Sequence, residues 1–172
     1  MLLLFVACIP VSPDVEVSTS EEDFFTPSQP IKLPTGNADF YVDASGNGDF
    51  TSLQAAIDAA SSGDWILVRP GTYEESIDFQ GKSLQITSEA GSGSTILDAS
   101  RDSFVVGARH GENSLTSLVG FTLRGGQDAT VYVEFASLHL EDIVVEDSSP
   151  SYLFYGSAAD LELVNVRTSN NR

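Results

Sequence analysis

Three segments decide the fold: TSLVGFTLRGG (residues 116–126), LHLEDIVVEDS (138–148) and LELVNVRTSNN (161–171). They align without a gap. Each places two apolar or small residues in alternation, then a two-residue break, then two more. The first set is Thr116, Leu118, Phe121 and Leu123, the second Leu138, Leu140, Ile143 and Val145, and the third Leu161, Leu163, Val166 and Thr168. The breaks end in Gly120, Asp142 and Asn165, residue types that tolerate a left-handed or bent backbone. The copies are offset by 22 residues (116 to 138) and 23 residues (138 to 161). That spacing is one coil of a right-handed parallel β-helix with three short strands per rung, in which equivalent residues stack at ~4.8 Å.

This register makes predictions for the outward positions as well. Ser117, His139 and Glu162 stack as one ladder, Thr122, Val144 and Arg167 as a second, and Arg124, Glu146 and Ser169 as a third. An Arg124–Glu146 pair across rungs is a solvated contact worth only ~0 to 1 kcal/mol. LELVNVRTSNNR ends partway through a rung, so the expectation is that further rungs or a partner cover that end.

Upstream, the same short β-branched or aromatic runs continue from Trp65: WILV, SIDF, LQIT, TILD and FVV, separated by turns rich in Gly, Ser, Asn and Asp. Such runs indicate an all-β domain, and the repeat selects a solenoid over a sandwich. One helix is expected. TSLQAAIDAA, from Thr51, places Leu53, Ile57 and Ala60 on one face, with Thr51 and Gln54 as a capping box and Gly63 as the stop. In RPGTYEESI (69–77), Gly71 is expected to take the bend, Tyr73 to clasp the turn and Ile77 to re-enter the core.

Composition limits the partners. With 41% hydrophobic content the 172-residue chain can build a core. Its 25 acidic against 8 basic residues give a formal charge of −17, which opposes nucleic acid and anionic membrane surfaces. Residues 9–38 read as an acidic linker. Between 9 and 36 they hold five of the seven prolines, five acidic residues and one lysine, which is too little apolar surface to offset the entropy of ordering. Ahead of it, MLLLFVAC is too short an apolar run to span a bilayer, which needs ~20 residues. The only cysteine, Cys8, allows no intramolecular disulfide.

Phe5-Val6-Ala7-Cys8 resembles the bacterial lipobox, which implies a signal over residues 1–8, its first residues missing, and a lipid on Cys8. The membrane is then reached only through that anchor, and the expected location is the bacterial cell envelope. The β-helix domain is expected over 39–172, incomplete at its C-terminal end.

DFTSLQAAIDAASSGDWILVRPGTYEESIDFQGKSLQITSEAGSGSTILDAS followed by LVGFTLRGG resembles the start of right-handed β-helix proteins of the pectin lyase-like superfamily, over roughly residues 39–126. The resemblance implies that the helix caps the open end of the coil and that Pro-Gly-Thr-Tyr forms the first turn. Gly71, Tyr73 and Glu75 match the Gly-x-Tyr-x-Glu element of pectin methylesterases. The catalytic blocks of those enzymes have no counterpart here: GGQDAT (125–130) is similar to their Gln-Asp-Thr element, but Ala129 interrupts it.

Candidate chemistry is sparse. Asp142, Glu146 and Asp147 are acidic residues that could take calcium, with Arg124 or Arg167 nearby, but they point in different directions around a coil. His110 and His139 have no serine or aspartate at a suggestive spacing. Tyr132, Tyr152 and Tyr155 are candidates for stacking on sugar rings, though tyrosine also fills half-buried strand positions routinely. The sequence carries no cofactor motif. The reading favoured is a non-catalytic, lipid-anchored β-helix that binds or displays polysaccharide. Its alternatives are a polysaccharide lyase or pectinesterase-like enzyme with catalytic rungs beyond Arg172, and a structural spacer.

Overall fold

The computed structural model describes residues 37–99 and 102–171, together with the backbone of Ile9–Pro10. Cys8, the lipobox-like residues before it and most of the proline-rich segment lie outside the described residues.

The chain is built in coils of three strands. Ile9–Pro10 forms β1, and Phe40–Val42 forms β2, followed by the helix α1, Leu53–Ala59. The first full coil consists of β3 (Trp65–Val68), β4 (Gly71–Tyr73) and β5 (Ile77–Asp78). The second is β6 (Gln85–Ser88), β7 (Thr95–Ala99) and β8 (Val106–Ala108), and the third β9 (Ser117–Val119), β10 (Thr122–Gly125) and β11 (Ala129–Glu134). The fourth holds β12 (Ser137–Glu141), β13 (Val144–Glu146) and β14 (Tyr152–Ser157). Last come β15 (Asp160–Val164) and β16 (Arg167–Ser169).

Three parallel sheets result. Their orders are β2-β3-β6-β9-β12-β15, β4-β7-β10-β13-β16 and β5-β8-β11-β14, the third extended at its edge by the antiparallel β1. This is a right-handed parallel β-helix. The anticipated register is the observed one: His139 pairs with Ser117 and Glu162, Val144 with Thr122 and Arg167, and Glu146 with Ser169. Arg124 Nε lies 3.0 Å from Glu146 Oε1 across two rungs.

Inward residues form one continuous core. Thr116, Leu118, Phe121 and Leu123 are fully enclosed, as are Leu140, Ile143 and Val145. In the third repeat Val166 is buried but Leu161 and Leu163 are half-buried, because β15 is an edge strand with a neighbouring rung on one side only. The break residues turn the corner as expected, with φ of 81° at Gly120, 53° at Asp142 and 51° at Asn165. These corners stack, and the Asn165 amide donates to the Asp142 carboxylate.

Four sequence expectations are revised. Helix α1 is seven residues long and starts one residue later than the Thr51 capping box requires: Ser52 is the N-cap, its hydroxyl accepting the Ala55 N–H at 3.2 Å. Gln54 instead docks the helix on the first coil, accepting the Asp78 N–H at 2.8 Å and donating to Asp78 O at 3.2 Å. Gly63 (φ 101°) lies in the following turn, while the helix ends at Ala60 and Lys82 Nζ donates to the carbonyls of Ile57 and Asp58. Gly71 is not the bend. It begins β4, donating to Ser94 O at 2.9 Å, and does not have a positive φ.

The amphipathic prediction for α1 holds. Leu53, Ala56 and Ile57 are enclosed and Ala60 is buried, and the helix packs on β2 and β5, covering the end of the core. Leu53 and Ile57 each contribute ~1.5 to 3 kcal/mol when fully removed from water, and the alanine methyls less than ~1 kcal/mol each.

Candidate functional site

Strand alternation sends Val131 and Val133 of β11 inward, and Tyr132 outward between them. The pairing register then aligns Asp78, Gly107, Tyr132 and Tyr155 in one outward row across β5, β8, β11 and β14. Tyr132 and Tyr155 stack with ring centroids 4.6 Å apart and planes 23° from parallel. Tyr152, 37% exposed, tilts against Tyr155 at 5.8 Å.

Gly107 leaves a gap in the row that Phe104 fills: a β-carbon at position 107 would stand 2.7 Å from the Phe104 ring. Phe104 in turn lies 6.3 Å from Tyr132. The guanidinium of Arg109 sits 4.6 Å over Phe104 and 5.8 Å from Tyr132, an arrangement that attracts a cation to the ring faces. Its Nη2 also donates to Asp78 Oδ2 at 2.7 Å. An acid, an arginine and four aromatic rings therefore form one contiguous surface. Burial, reinforced by the Glu134 carboxylate and by Tyr155, raises the Tyr132 phenol above its ordinary range, so it stays a neutral hydrogen-bonding group.

The three tyrosines singled out in the sequence are thus brought together. The sequence reading missed Phe104, Arg109 and Asp78. The outward register of β5 and β8 was the signal that could have found Asp78, but Phe104 lies in a loop and reaches the row only through the vacancy at Gly107.

The acidic candidates do not converge. Asp142 and Asp147 occupy successive corners, with φ of 53° and 51°, and Glu146 is engaged by Arg124. Asp142 lines a shallow cleft of 230 Å³ with Asn165, Arg167 and the Gly91–Ser92 loop. Among the described residues, the ligand-type groups that do approach one another are Asp78, His110 and Glu112, within 4.8 Å. Their oxygens already have donors. Glu112 accepts the Gly81 and His110 amides at 2.7 and 2.9 Å, and Asp78 accepts the Gln80 amide and the Arg109 guanidinium.

His139 has neighbours that the sequence spacing hid. Its Nδ1 is 2.9 Å from Glu162 Oε2, and Ser117 is its ladder partner on the other side, an order reminiscent of a serine hydrolase triad. The serine does not complete one. Ser117 Oγ is enclosed and has no hydrogen-bond partner, while the second imidazole nitrogen faces Glu141 at 3.4 Å.

The Gly71-Tyr73-Glu75 element is structural. Tyr73, almost wholly buried, donates its hydroxyl to Arg69 O at 2.9 Å and accepts the Ala44 N–H at 3.4 Å. Glu75 accepts the Leu53 and Gln54 amides at the start of α1 and the Ser52 hydroxyl. Both side chains are committed to holding the first coil and its helix.

Comparison with known proteins places the fold. The chain is 33% identical over 127 residues to "Probable pectinesterase 67" of Arabidopsis thaliana, a match covering 66% of this chain and 35% of that protein. The chain is a right-handed parallel β-helix protein with the pectin lyase-like fold. No family model matches it. This β-helix protein spans about a third of the length of that relative, and a shared scaffold alone assigns no chemistry.

Proposed function

We propose that this β-helix protein binds polysaccharide, without catalysis by the residues described, on the outer face of the β5-β8-β11-β14 sheet. The observation that carries the reading is the contiguous row of Phe104, Tyr132, Tyr155 and Tyr152 with Arg109 at its edge. Aromatic rings present apolar surface, through a face or an edge, to sugar rings while phenols and guanidinium groups reach their hydroxyls. The relative's name, a pectinesterase, makes pectin the first glycan to try. A formal charge of −17 favours an esterified or neutral chain over a polyanion. The apolar opening that ends in Cys8 supports a further element, display on a lipid anchor in the cell envelope.

The test is binding of highly methyl-esterified pectin by isothermal titration, with Tyr132→Ala and Tyr155→Ala variants beside the wild type. Measurable heat for wild type that is lost in both variants is expected, and no binding by wild type overturns the reading. The same relative also supports an esterase. Methanol release from pectin by the purified chain would replace the non-catalytic assignment with that one.

A further inference from the structure

The corner that follows the aromatic sheet is turned by a left-handed residue in several coils: Gln80 with φ 55°, Phe135 with φ 51° and Ala158 with φ 48°. At the opposite corner the same conformation falls to Gly120, Asp142 and Asn165, which tolerate it. Phenylalanine tolerates it poorly. Nor does Phe135 gain by burial, since it is 68% exposed, and no aromatic partner faces its ring among the described residues. A bulky residue standing where local conformation disfavours it and packing does not compensate points to a contact made outside the chain.

Its position specifies that contact. Phe135 comes immediately after Glu134 and three residues after Tyr132, about 10 Å along an extended strand. Tyr132 and Tyr155 turn their ring faces toward each other, so what they offer a ligand is largely ring edges and phenol groups. Phe135, by contrast, is 68% exposed and has no aromatic neighbour among the described residues. We propose that Phe135 is the stacking platform for one sugar ring of the glycan, which runs along the strand direction from the tyrosine pair to this corner. The inference rests on the polysaccharide-binding reading above and adds a residue and a direction to it.

The experiment compares wild type, Phe135→Asn and Phe135→Tyr for affinity to methyl-esterified pectin and for thermal midpoint. Asparagine suits a left-handed corner, so Phe135→Asn is expected to melt at or above the wild-type temperature while its affinity falls about three- to tenfold. Phe135→Tyr is expected to bind as wild type does. Unchanged pectin affinity in Phe135→Asn overturns the inference alone, as does a lowered midpoint, which would mean that the ring serves packing. Absence of binding by wild type overturns both this and the reading beneath it.

Discussion

The carboxylate of Glu75 accepts the Leu53 N–H at 2.7 Å, so a residue of the first coil caps the helix that closes the core. The same carboxylate takes the Ser52 hydroxyl at 2.7 Å and the Gln54 N–H at 3.1 Å. The helix N-terminus presents unsatisfied amides and the positive end of its dipole, and an anion there answers both.

Glu75→Ala is therefore expected to destabilise the fold by about 2 kcal/mol, and Ser52→Ala by about 1 kcal/mol. Urea unfolding followed by circular dichroism measures both. A Glu75→Ala variant as stable as wild type would show that the cap is dispensable and reopen a chemical role for this carboxylate.

Tyr73 ties β4 back to the end of β3 through its hydroxyl. Burial, the largest cause, raises its phenol above the ordinary value near 10.0, with Asp43 and Glu75 adding to the shift. The folded state thus holds this proton more tightly than the unfolded state does. Its contribution is fully present below the ordinary tyrosine value and is lost as pH rises through the raised one. Wild type is expected to lose stability in this alkaline window more steeply than Tyr73→Phe, as read by unfolding midpoints at a series of pH values. Parallel curves would contradict the assignment.

At the other end of the scale, the Ser45 hydroxyl donates to Asp43 Oδ1 at 2.6 Å and the Ser45 amide to the same oxygen at 2.8 Å. These two bonds, ahead of the Arg69 guanidinium, hold the Asp43 carboxyl below its ordinary range. Its stabilising effect is present above the ordinary carboxylate value and disappears as pH falls through the depressed one. Ser45→Ala is expected to move the Asp43 titration upward in a carboxyl-detected NMR experiment, and an unmoved titration would count against the hydroxyl as the leading cause.

Gly126 and Gly71 behave oppositely on substitution. A β-carbon at Gly126 (φ 81°) would fall 2.2 Å from the Ala129 carbonyl oxygen, so Gly126→Ala is expected to cost about 3 kcal/mol. At Gly71 the nearest atoms are 3.5 Å away, so Gly71→Ala is expected to be neutral or to stabilise by up to about 1 kcal/mol. Chemical denaturation of the two variants separates them, and equal losses would mean that Gly71 does serve as a bend.

The strand ladders were legible before any coordinates because a solenoid repeats the same local problem in every coil. Leu118, Leu140 and Leu163 recur at the coil period, and Gly120, Asp142 and Asn165 recur where the backbone must turn. Pairing in register is then the consequence of burying each apolar row on the next, which is why Ser117, His139 and Glu162 could be placed together from spacing alone. The proposed binding face was legible only in part. Tyr132 and Tyr155 share a register position, but the filling of Gly107 by Phe104 and the packing of Arg109 over that ring depend on a loop with no repeat to read.

By itself, the sequence determined the coil, its inward rows, the corners at Gly120, Asp142 and Asn165 and the capping helix near residue 53, because periodic burial and left-handed tolerance are properties of residue type and spacing. Only the tertiary structure decided that Glu75 caps Leu53 from another element, that Ser52 displaces Thr51 as the N-cap, and that Phe135 stands exposed in a conformation it disfavours. Those outcomes depend on which unsatisfied amide or vacant surface lies within a few ångströms in space, and distance along the chain does not encode it.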